Sequence, residues 1–547
     1  MGDTTDVIVI GGGLAGLVAA CELLDRGRRV TLLDQEPRQN LGGQAFWSLG
    51  GLFMIDTPEQ RRFRIRDSRE LARQDWMGSA GFDRAEDHWP RAWADAYLDF
   101  AAGEMRSWLY RMGMRWFPVV GWAERGGGLA TGHGNSVPRF HLTWGTGPGV
   151  LEPFVNRVLA AEQEGRIDLR FRHRVNGLLG GTTAVTGVQG DVLAEDTAPR
   201  GAPTNREVTG AFEIAAESVI VASGGIGANE AEVRRVWPTE RLGPAPDQMV
   251  CGVPAHVDGL MIGHSARAGA RVINEDRMWH YVEGIKNWDP IWPRHGIRIL
   301  PGPSSLWLDA EGNRLPAPCL PGFDSLGTLK YLCQAGHRHS WFVTTQKIIE
   351  KEFALSGSEQ NPDLTGKDWK LLLKSRLGQG ATPPVEAFKE KGEDFVVAKD
   401  LETLAQGMST LGDHPIDPAD LRHQVEARDR ELTNPFAKDA QIIALRQARA
   451  YLGDKLMRTA KPHRLLDPKA GPLIAVRLHI LTRKTLGGIE ADLKSQVIGQ
   501  DSAPIPGLFA CGEAAGFGGG GYHGYNALEG TFLGGCIFSG RAAGRNA

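Results

Sequence analysis

The fold of this chain is decided by residues 6–16, Asp6-Val7-Ile8-Val9-Ile10-Gly11-Gly12-Gly13-Leu14-Ala15-Gly16. The apolar run at the start predicts a short buried strand, and glycines with the spacing G-x-G-x-x-G follow it at once. Apolar residues recur at helical spacing over residues 14–26, and residues 29–34 predict a second strand that ends in an acid. A strand, a glycine turn, a helix, a second strand and an acid in this order predict a dinucleotide-binding unit.

Each residue type in this unit has a physical role. Gly11 allows the tight turn, Gly13 lets a pyrophosphate approach the backbone, and Gly16 lets the helix pack against the strand. The N-terminus of the helix offers free N–H groups and a partial positive charge to the phosphates. Asp34, which lies 23 residues after Gly11, can accept hydrogen bonds from the hydroxyls of a ribose. We therefore expect the chain to bind a dinucleotide.

Length, charge and cysteine spacing limit the classes of protein that fit the sequence. The 547 residues exceed one hydrophobic core and predict two or more domains. A net charge of -3 does not indicate nucleic acid as a partner. The six cysteines form no C-x-x-C pair, which argues against a disulfide scaffold, an iron–sulfur cluster or a zinc site. Because no stretch of about 18 residues is apolar enough to span a bilayer and the first strand begins at residue 6, we expect no transmembrane segment, no signal peptide and a cytoplasmic location.

A second glycine-rich stretch lies at residues 41–51, Leu41-Gly42-Gly43-Gln44-Ala45-Phe46-Trp47-Ser48-Leu49-Gly50-Gly51. Its two glycine pairs indicate a loop that lies against a large flat group. Further motifs follow at residues 222–225, 485–492, 505–513 and 523–526. With these motifs, the chain resembles the fumarate reductase/succinate dehydrogenase flavoprotein superfamily over nearly its whole length. The resemblance implies FAD, and it implies non-covalent FAD because no histidine lies in residues 41–51, where some members attach the flavin.

The resemblance also implies which residues contact FAD. Glu513 would bind the ribityl hydroxyls, Val175 would touch the adenine through its backbone, and the helix that begins near Thr531 would direct N–H groups at the flavin. Together with the N-terminal unit, the predicted cofactor contacts are Gly11, Gly13, Leu14, Ala15, Gly16, Asp34, Gly42, Gly43, Gln44, Ser48, Gly50, Gly51, Val175, Ala222, Ser223, Gly224, Gly512, Glu513, Phe532 and Leu533.

The predicted fold class is α/β, with a Rossmann-like FAD-binding domain and an inserted α+β substrate-capping domain. The first part of the FAD-binding domain is expected at residues 1–269, with a helical insertion at about 57–125. The capping domain is expected at residues 270–465, and the C-terminal part of the FAD-binding domain at 466–547. Residues 340–460 carry no specific motif, so they either cap the site or form an oligomer interface.

Three departures from the family pattern bear on the chemistry. Fumarate reductases of this family deliver a proton from an arginine whose position is Pro301 here, and a second arginine that grips a substrate carboxylate is Ala527. The family's histidine before T-x-G-G falls on Arg483. Without the two arginines, a small dicarboxylate would be poorly held and would receive no proton. We therefore reject fumarate reduction and succinate oxidation.

The pattern fits the 3-ketosteroid dehydrogenase branch of the superfamily better. That branch keeps Pro-Gly before the hairpin of its capping domain, as in Pro301-Gly302. It also places a tyrosine six residues before the threonine of the flavin-facing helix, as Tyr525 stands before Thr531. The resemblance implies that this tyrosine helps to polarise the substrate's carbonyl, and that a second tyrosine from the capping domain removes a proton.

Candidates for the second group are few, because the chain has only seven tyrosines. Tyr281 lies near the start of the predicted capping domain, and either Tyr281 or its neighbour His280 could face the flavin. His523 could activate a phenol or simply hydrogen-bond to the backbone. The glycine that offers an N–H to the keto oxygen in the steroid branch is Glu529 here, whose carboxylate would crowd or charge the pocket. The predicted catalytic residues are Tyr525, Tyr281, His523 and Arg483.

These observations predict an FAD-dependent dehydrogenase that introduces a C=C bond next to a carbonyl in a bulky apolar substrate, with a 3-ketosteroid-like compound as the leading candidate. Removal of a proton next to a carbonyl needs a base and a donor to the enolate oxygen, while the β-hydrogen leaves as hydride to flavin N5. Two alternatives stay open: a flavin-dependent reductase of an activated enoate, with Arg483 holding an acidic group, and a non-catalytic electron-carrying flavoprotein. The electron acceptor is unknown, and an oligomer is compatible with the sequence.

Overall fold

The computed structural model describes residues 3–126, 134–181, 183–378, 380–526 and 528–547. Ala527, one of the two positions at which a family arginine is replaced, lies outside the described residues. The predicted N-terminal unit is present, with a strand over Asp3–Ile10, a helix over Leu14–Asp25 and a second strand over Val30–Asp34.

The strands of the described part, in chain order, are β1 Asp3–Ile10, β2 Val30–Asp34, β3 Gly51–Phe53, β4 Trp116–Gly121, β5 Phe140–Thr143, β6 Ile167–Phe171, β7 His173–Leu179, β8 Gly187–Leu193, β9 Val208–Val221, β10 Val250–Cys251, β11 Val272–Ile273, β12 Met278–Lys286, β13 Gly296–Leu300, β14 Leu306–Leu308, β15 His339–Thr345, β16 Ala354–Leu355, β17 Phe395–Ala398, β18 Leu473–Thr485, β19 Gly488–Ile489, β20 Gln496–Ile498 and β21 Pro504–Ala510.

The α-helices of the same residues are α1 Leu14–Asp25, α2 Pro58–Arg62, α3 Arg69–Ala80, α4 His88–Ala102, α5 Met105–Arg111, α6 Thr146–Gln163, α7 Glu230–Arg235, α8 Thr239–Leu242, α9 Leu260–Arg267, α10 Ser325–Gln334, α11 Gln346–Glu352, α12 Pro362–Thr365, α13 Trp369–Leu377, α14 Pro383–Lys391, α15 Leu401–Leu411, α16 Pro418–Thr433, α17 Ala440–Ala448, α18 Leu452–Met457 and α19 Thr531–Asn546.

The first large sheet has the strand order β20-β21-β9-β1-β2-β6, and β7 and β8 extend it from β9 as an antiparallel meander. β1 pairs in parallel with both β2 and β9, and β21 runs parallel to β9. A central strand between parallel neighbours must be apolar on both faces, and Val7, Ile8 and Val9 are fully buried. This sheet is the core of the predicted dinucleotide-binding part.

Helices α1 and α19 pack closely against each other on this sheet. Gly540 and Gly544 lie on the contact face of α19, where a Cβ would come within 2.5 Å of the carbonyl oxygens of Ala15 and Ala19. Because glycine has no Cβ, the two helix backbones can approach at this point. The close packing fixes the C-terminal helix against the glycine turn at the other end of the chain.

The second large sheet has the strand order β14-β15-β18-β12-β13-β16, with β10 and β17 pairing with β18. Its central pairs β12–β18 and β15–β18 are antiparallel, and helices α10 to α18 lie in the same stretch of chain. β18 begins at Leu473, beyond the predicted end of the capping domain at residue 465, so this sheet crosses the expected boundary. The division into domains at residues 269 and 465 stays a prediction.

The predicted insertion at about 57–125 contains α2 to α5, and β4 joins the small sheet β3-β5-β4. Trp76 and Trp93 of α3 and α4 are buried in the main core. Within the described residues, no helix is both long enough and apolar enough to cross a lipid bilayer.

Candidate active site

A cleft lies between residues of the two large sheets. The ends of β1 and β2 and the first turns of α1 and α19 line one part of it, and residues of β12, β13 and β18 line the other. Ligands of open parallel sheets bind at the carboxyl ends of the strands. This cleft is therefore the candidate active site.

The glycine turn after β1 leaves bare backbone facing the cleft. Gly11 has φ +106°, and a Cβ there would lie 2.6 Å from the carbonyl oxygen of Ala222. A Cβ at Gly16 would collide with the carbonyl oxygen of Gly11, whereas Gly13 has open space where a Cβ would lie. The N–H of Leu17 donates to the carbonyl of Gly13, so the N–H groups of residues 14–16 have no partner inside the helix. The turn has the room and the donors that a pyrophosphate needs.

Asp34 lies in the cleft at the end of β2. Its Oδ2 accepts a hydrogen bond from the N–H of Gly12 at 2.7 Å, and its Oδ1 accepts one from the N–H of Glu36 at 2.8 Å. Burial raises the pKa of Asp34, and the two N–H groups act against that rise. Each carboxylate oxygen still has a free lone pair. Asp34 could therefore accept ribose hydroxyls in addition to these two N–H groups, and its role as a ribose contact stays a prediction.

Glu513 lies deeper in the cleft and is held by neighbouring side chains and backbone. Its Oε1 accepts the N–H of Thr485 at 2.8 Å, and its Oε2 accepts from the side-chain amide of Gln44. Burial raises the pKa of Glu513, and the nearby Lys484 opposes that rise. Burial in turn lowers the pKa of Lys484. A buried carboxyl beside an ammonium forms a polar wall that fits the hydroxyls of a ribityl chain.

Ser223 shows that the cleft suits a polar ligand. Its Oγ is buried and has no hydrogen-bond partner among the described residues, although Ser223 lines the cleft. A buried hydroxyl without a partner costs about 1–3 kcal/mol, and a ligand with polar atoms at this point would remove that cost.

The N-terminus of α19 also points into the cleft. Gly530 precedes the helix with φ +93°, and a Cβ there would lie 2.8 Å from the backbone nitrogen of Phe53. Phe532 and Leu533 in the first turn line the cleft. The free N–H groups of a helix start stabilise negative charge. This end of the cleft is suited to the ring of a flavin, which gains negative charge on reduction.

Most of the predicted cofactor residues line this one cleft, and their donors, acceptors and open space fit FAD. Those that line it are Gly11, Gly13, Leu14, Ala15, Asp34, Gly43, Gln44, Ser48, Gly50, Gly51, Val175, Ala222, Ser223, Gly224, Gly512, Glu513, Phe532 and Leu533. Gly16 and Gly42 are not among the described residues that line the cleft. Gly42 has φ +105°, donates its N–H to Gly12 and forms a bridge with Gly13, so it shapes the glycine turn.

Tyr281 lies on β12 and lines the part of the cleft that the second large sheet forms. It is buried, and the guanidinium carbon of Arg298 lies 3.8 Å from the centre of its ring. Among the described residues no group hydrogen-bonds to its hydroxyl. Burial and the charge of Glu529 raise the pKa of Tyr281 well above 10, so the phenol keeps its proton at neutral pH. His280, the alternative to Tyr281, is buried against Trp237 with its pKa lowered to about 3 by burial, and it is absent from the described lining.

Arg298 is the centre of a buried charge cluster formed with Glu124, Glu283 and Glu529. Its guanidinium lies 2.5 Å from Glu529, 3.4 Å from Glu283 and 3.9 Å from Glu124. Burial by itself would lower the pKa of Arg298, but Glu283 and Glu529 outweigh it and raise the pKa. Burial raises the pKa of Glu124 to about 8 and raises that of Glu283. Since one cation faces three buried carboxyls, the cluster retains protons at neutral pH.

Arg483 lies on β18 and lines the cleft. It falls where the pairing between β12 and β18 is irregular, next to Trp279 and His280. Its Nη1 lies 3.4 Å from the Oγ of Ser356, and its Nε is buried without a hydrogen bond in the described part of the chain. No ion pair holds Arg483 among the described residues. Arg483 is thus a cation that a ligand in the cleft can reach.

The structure does not bring Tyr525 together with Tyr281. Tyr525 is buried, its N–H donates to the carbonyl of Ala80, and the guanidinium carbons of Arg241 and Arg277 lie 3.4 and 4.1 Å from its ring centre. It is not among the described residues that line the cleft. The predicted carbonyl-polarising role of Tyr525 stays a prediction, without support from this placement.

His523 is also apart from the cleft lining in the described residues. Its Nε2 lies 2.8 Å from the Oγ1 of Thr531, and Thr531 donates its hydroxyl hydrogen to the carbonyl of Leu528. Nε2 must therefore carry the hydrogen, and Nδ1 is a buried acceptor without a partner. Burial lowers the pKa of His523 well below 6.5. A neutral imidazole packed against Trp76 supports the start of α19.

The sequence analysis missed the charge cluster and Lys484. Arg298 and Glu283 each lie in an otherwise apolar strand, over Gly296–Leu300 and Met278–Lys286. A charged residue inside a buried apolar run is a signal for a functional or paired group. Nothing in the sequence relates these two positions to Glu124 and Glu529.

Comparisons with known proteins define the class. The family model described as FAD binding domain matches residues 6–533 of the chain. The chain therefore belongs to this family of flavoproteins, which confirms the predicted superfamily and the cofactor FAD. It is an FAD-dependent oxidoreductase.

A particular relative narrows the class further. The chain is 62% identical over 549 residues to a KsdD-like steroid dehydrogenase of Mycobacterium tuberculosis, with 100% of this chain and 96% of the relative covered. The match supports the predicted 3-ketosteroid dehydrogenase branch.

Solved structures agree on the fold. The 3-ketosteroid Δ1-dehydrogenase of Sterolibacterium denitrificans, in complex with 1,4-androstadiene-3,17-dione, matches with a TM-score of 0.66 at 16% identity over 99% of both chains. An open flavocytochrome c3 fumarate reductase matches with a TM-score of 0.63 at 21% identity, over 100% of this chain and 78% of the other. At these identities the likeness shows the fold alone, so the substrate has to be argued from the cleft.

Proposed function

We propose that this protein is an FAD-dependent dehydrogenase that introduces a C=C bond next to the carbonyl of a bulky apolar substrate, a 3-ketosteroid-like compound. The observation that carries the proposal is the phenol of Tyr281, which lies in the same cleft as the FAD residues and has no hydrogen-bond partner among the described residues. The 62% identity to a KsdD-like steroid dehydrogenase supports the substrate class.

Tyr281 acts as a donor to the substrate's carbonyl oxygen. Because its pKa lies well above 10, the hydroxyl keeps its proton and can share it with an oxygen that gains negative charge in the transition state. The guanidinium of Arg298 holds the ring from one face. When bound, FAD supplies the acceptor for the hydride that leaves the β-carbon. The substrate loses one proton and one hydride, and it is oxidised by two electrons.

Apolar surface in the cleft suits the body of such a substrate. Leu300 and Phe140 belong to its described lining. Large apolar ligands are bound chiefly by surface of this kind, and a few polar groups orient them. Tyr281 would provide the orientation at the carbonyl end.

A panel of 3-ketosteroids tests the proposal. Purified yellow holoprotein is mixed anaerobically with 4-androstene-3,17-dione and related ketones, and the flavin absorbance is followed. Bleaching, with a product two mass units lighter, is the expected result. If no ketosteroid bleaches the flavin or is oxidised with an artificial electron acceptor, the proposal is wrong.

One observation favours a second candidate, the reduction of an activated enoate. Arg483 lines the cleft without an ion-pair partner among the described residues, and such a cation can hold the acidic group of an enoate. The same protein reduced with dithionite should then be reoxidised by enoates such as cinnamate and not by steroid dienones. The physiological electron acceptor is not part of either proposal.

A further inference from the structure

The proposed dehydrogenation needs a base for the α-proton, and Tyr281 is poorly suited to be that base. A base must be unprotonated at the operating pH, whereas burial and the charge of Glu529 keep the proton on Tyr281. The base has to be another group that lines the cleft. This inference rests on the proposed function.

The carboxylates of the described lining fall into two groups. Four lie with the cofactor residues and are Asp34, Glu36, Asp258 and Glu513. All four accept hydrogen bonds from protein groups in that part of the cleft. Glu529 is the remaining carboxylate, and it lies beside Tyr281 and Arg298.

The position of Glu529 suits a base. It directly precedes Gly530, the residue that caps the flavin-facing helix α19. Its Oε1 is held by the Nη1 of Arg298 at 2.5 Å, while no described residue donates a hydrogen bond to its Oε2. One oxygen is fixed by an ion pair, and the other is available to a substrate.

Of the three carboxyls around Arg298, Glu529 is the one that pairs closely with its guanidinium. Glu283 and Glu124 lie farther from the guanidinium, at 3.4 and 3.9 Å. Burial raises the pKa of both, to about 8 for Glu124. Glu529 is the carboxyl nearest to the guanidinium, at 2.5 Å.

We propose that Glu529 is the base that removes the α-proton of the substrate, with Tyr281 as the hydrogen-bond donor to the carbonyl oxygen and Arg298 as the residue that positions Glu529. The C–H bond at the α-carbon breaks, its proton moves to Oε2 of Glu529, and its electron pair enters the new C=C bond. FAD, when bound, would supply the acceptor for the hydride of the β-carbon, so that two electrons and two hydrogens are accounted for.

Hydrogen exchange separates this proton step from the oxidation. In holoenzyme whose flavin is already reduced by dithionite, hydride transfer is blocked, but the α-hydrogen of bound ketone can still exchange with solvent. The probe is 4-androstene-3,17-dione in D2O, with deuterium uptake measured by mass spectrometry and corrected for exchange without enzyme. Loss of a general base typically costs about 10²–10⁴-fold, and we expect a loss of this size in Glu529→Gln.

Two further variants serve as a conservative replacement and as a control. Glu529→Asp retains a carboxylate and should recover part of the exchange. Glu207→Gln removes an exposed glutamate outside the described lining and should exchange at the wild-type rate. FAD content should be unchanged in all three, so that lost exchange is not lost cofactor, and Glu529→Gln should melt at a lower temperature because it removes one partner of a buried ion pair.

The outcomes distinguish this inference from the function on which it rests. If Glu529→Gln exchanges the α-hydrogen at the wild-type rate, Glu529 is not the base. The dehydrogenase proposal is not affected by this result. Wild-type protein that neither bleaches nor exchanges with any ketosteroid would overturn the dehydrogenase proposal and Glu529 with it. Exchange that is lost equally in Glu529→Gln and Glu529→Asp, with FAD retained, would show that Glu529 only packs.

Discussion

Replacement of Glu124 by glutamine should change how the stability of the protein depends on pH. Glu124 is buried beside Arg298, Glu283, Asp324 and Glu529, and its pKa is raised from 4.5 to about 8, chiefly by burial. Between these two pH values the folded protein holds a proton that the unfolded chain releases. The free energy of unfolding therefore falls as pH rises through this window.

The size of the effect follows from the two pKa values. The slope is about 1.4 kcal/mol per pH unit, so the limit is roughly 5 kcal/mol between pH 4.5 and 8. Neighbouring carboxyls share the cost, and we expect about half of this limit. Glu124→Gln retains the acceptor for the N–H of Ser325, which Glu124 Oε1 receives at 2.5 Å, and does not titrate.

Melting temperatures of the holoproteins at pH 5, 6, 7 and 8 measure the effect. One kcal/mol shifts the melting temperature by about 2–4 °C in domains of 150–250 residues, and by less in larger proteins. Because the unfolding entropy is about 2 cal/mol/K per residue, the melting temperature of Glu124→Gln minus that of the wild type should rise by about 2 °C from pH 5 to pH 8. Glu207→Gln, at an exposed position, is the control and should show no trend. A difference for Glu124→Gln that stays constant over this range would refute the burial argument.

Three further predictions concern the cofactor and the reacting groups. Trichloroacetic acid should release the yellow colour into the supernatant, because no histidine lies in residues 41–51 to bind FAD covalently; colour in the pellet would contradict this. Asp34→Ala should lower FAD content and melting temperature, since the ribose contacts contribute ~1–3 kcal/mol; full occupancy would show that Asp34 is not a contact. Tyr281→Phe should slow flavin bleaching by ketosteroid about 10²–10³-fold, and Tyr525→Phe much less; the reverse order in stopped-flow absorbance would return the role to Tyr525.

Local chemistry made the cofactor half of the cleft predictable. Gly11, Gly13 and Asp34 belong to one short segment whose spacing follows from the turn, the helix start and the strand end. Their spacing follows from one strand–turn–helix–strand unit of fewer than 30 residues. Such patterns can be recognised in a single sequence because the same backbone geometry always requires the same residue types.

The charge cluster could not be predicted, because its members come from three distant parts of the chain. Glu124 follows β4, Glu283 and Arg298 lie on two paired strands, and Glu529 precedes α19. These residues come together only because the second sheet lies near the loop before α19. No local sequence pattern predicts that arrangement. The prediction for Tyr525 rested on its spacing to Thr531. In the described structure Tyr525 packs against Arg241 and Arg277, and it is not among the described residues that line the cleft.

The direction of the reaction can be argued from the groups at the reacting end of the cleft. A reductase must deliver a proton to the α-carbon, and the family position that would do so is Pro301, which has no titratable proton. A dehydrogenase must accept that proton, and Glu529 provides a carboxylate with one oxygen free of described partners. By microscopic reversibility a protonated Glu529 could also return the proton, so the groups themselves do not forbid reduction. Arg298 holds one oxygen of Glu529 at 2.5 Å and leaves the other without a described partner, and an oxygen placed to accept a proton is what oxidation of the substrate requires.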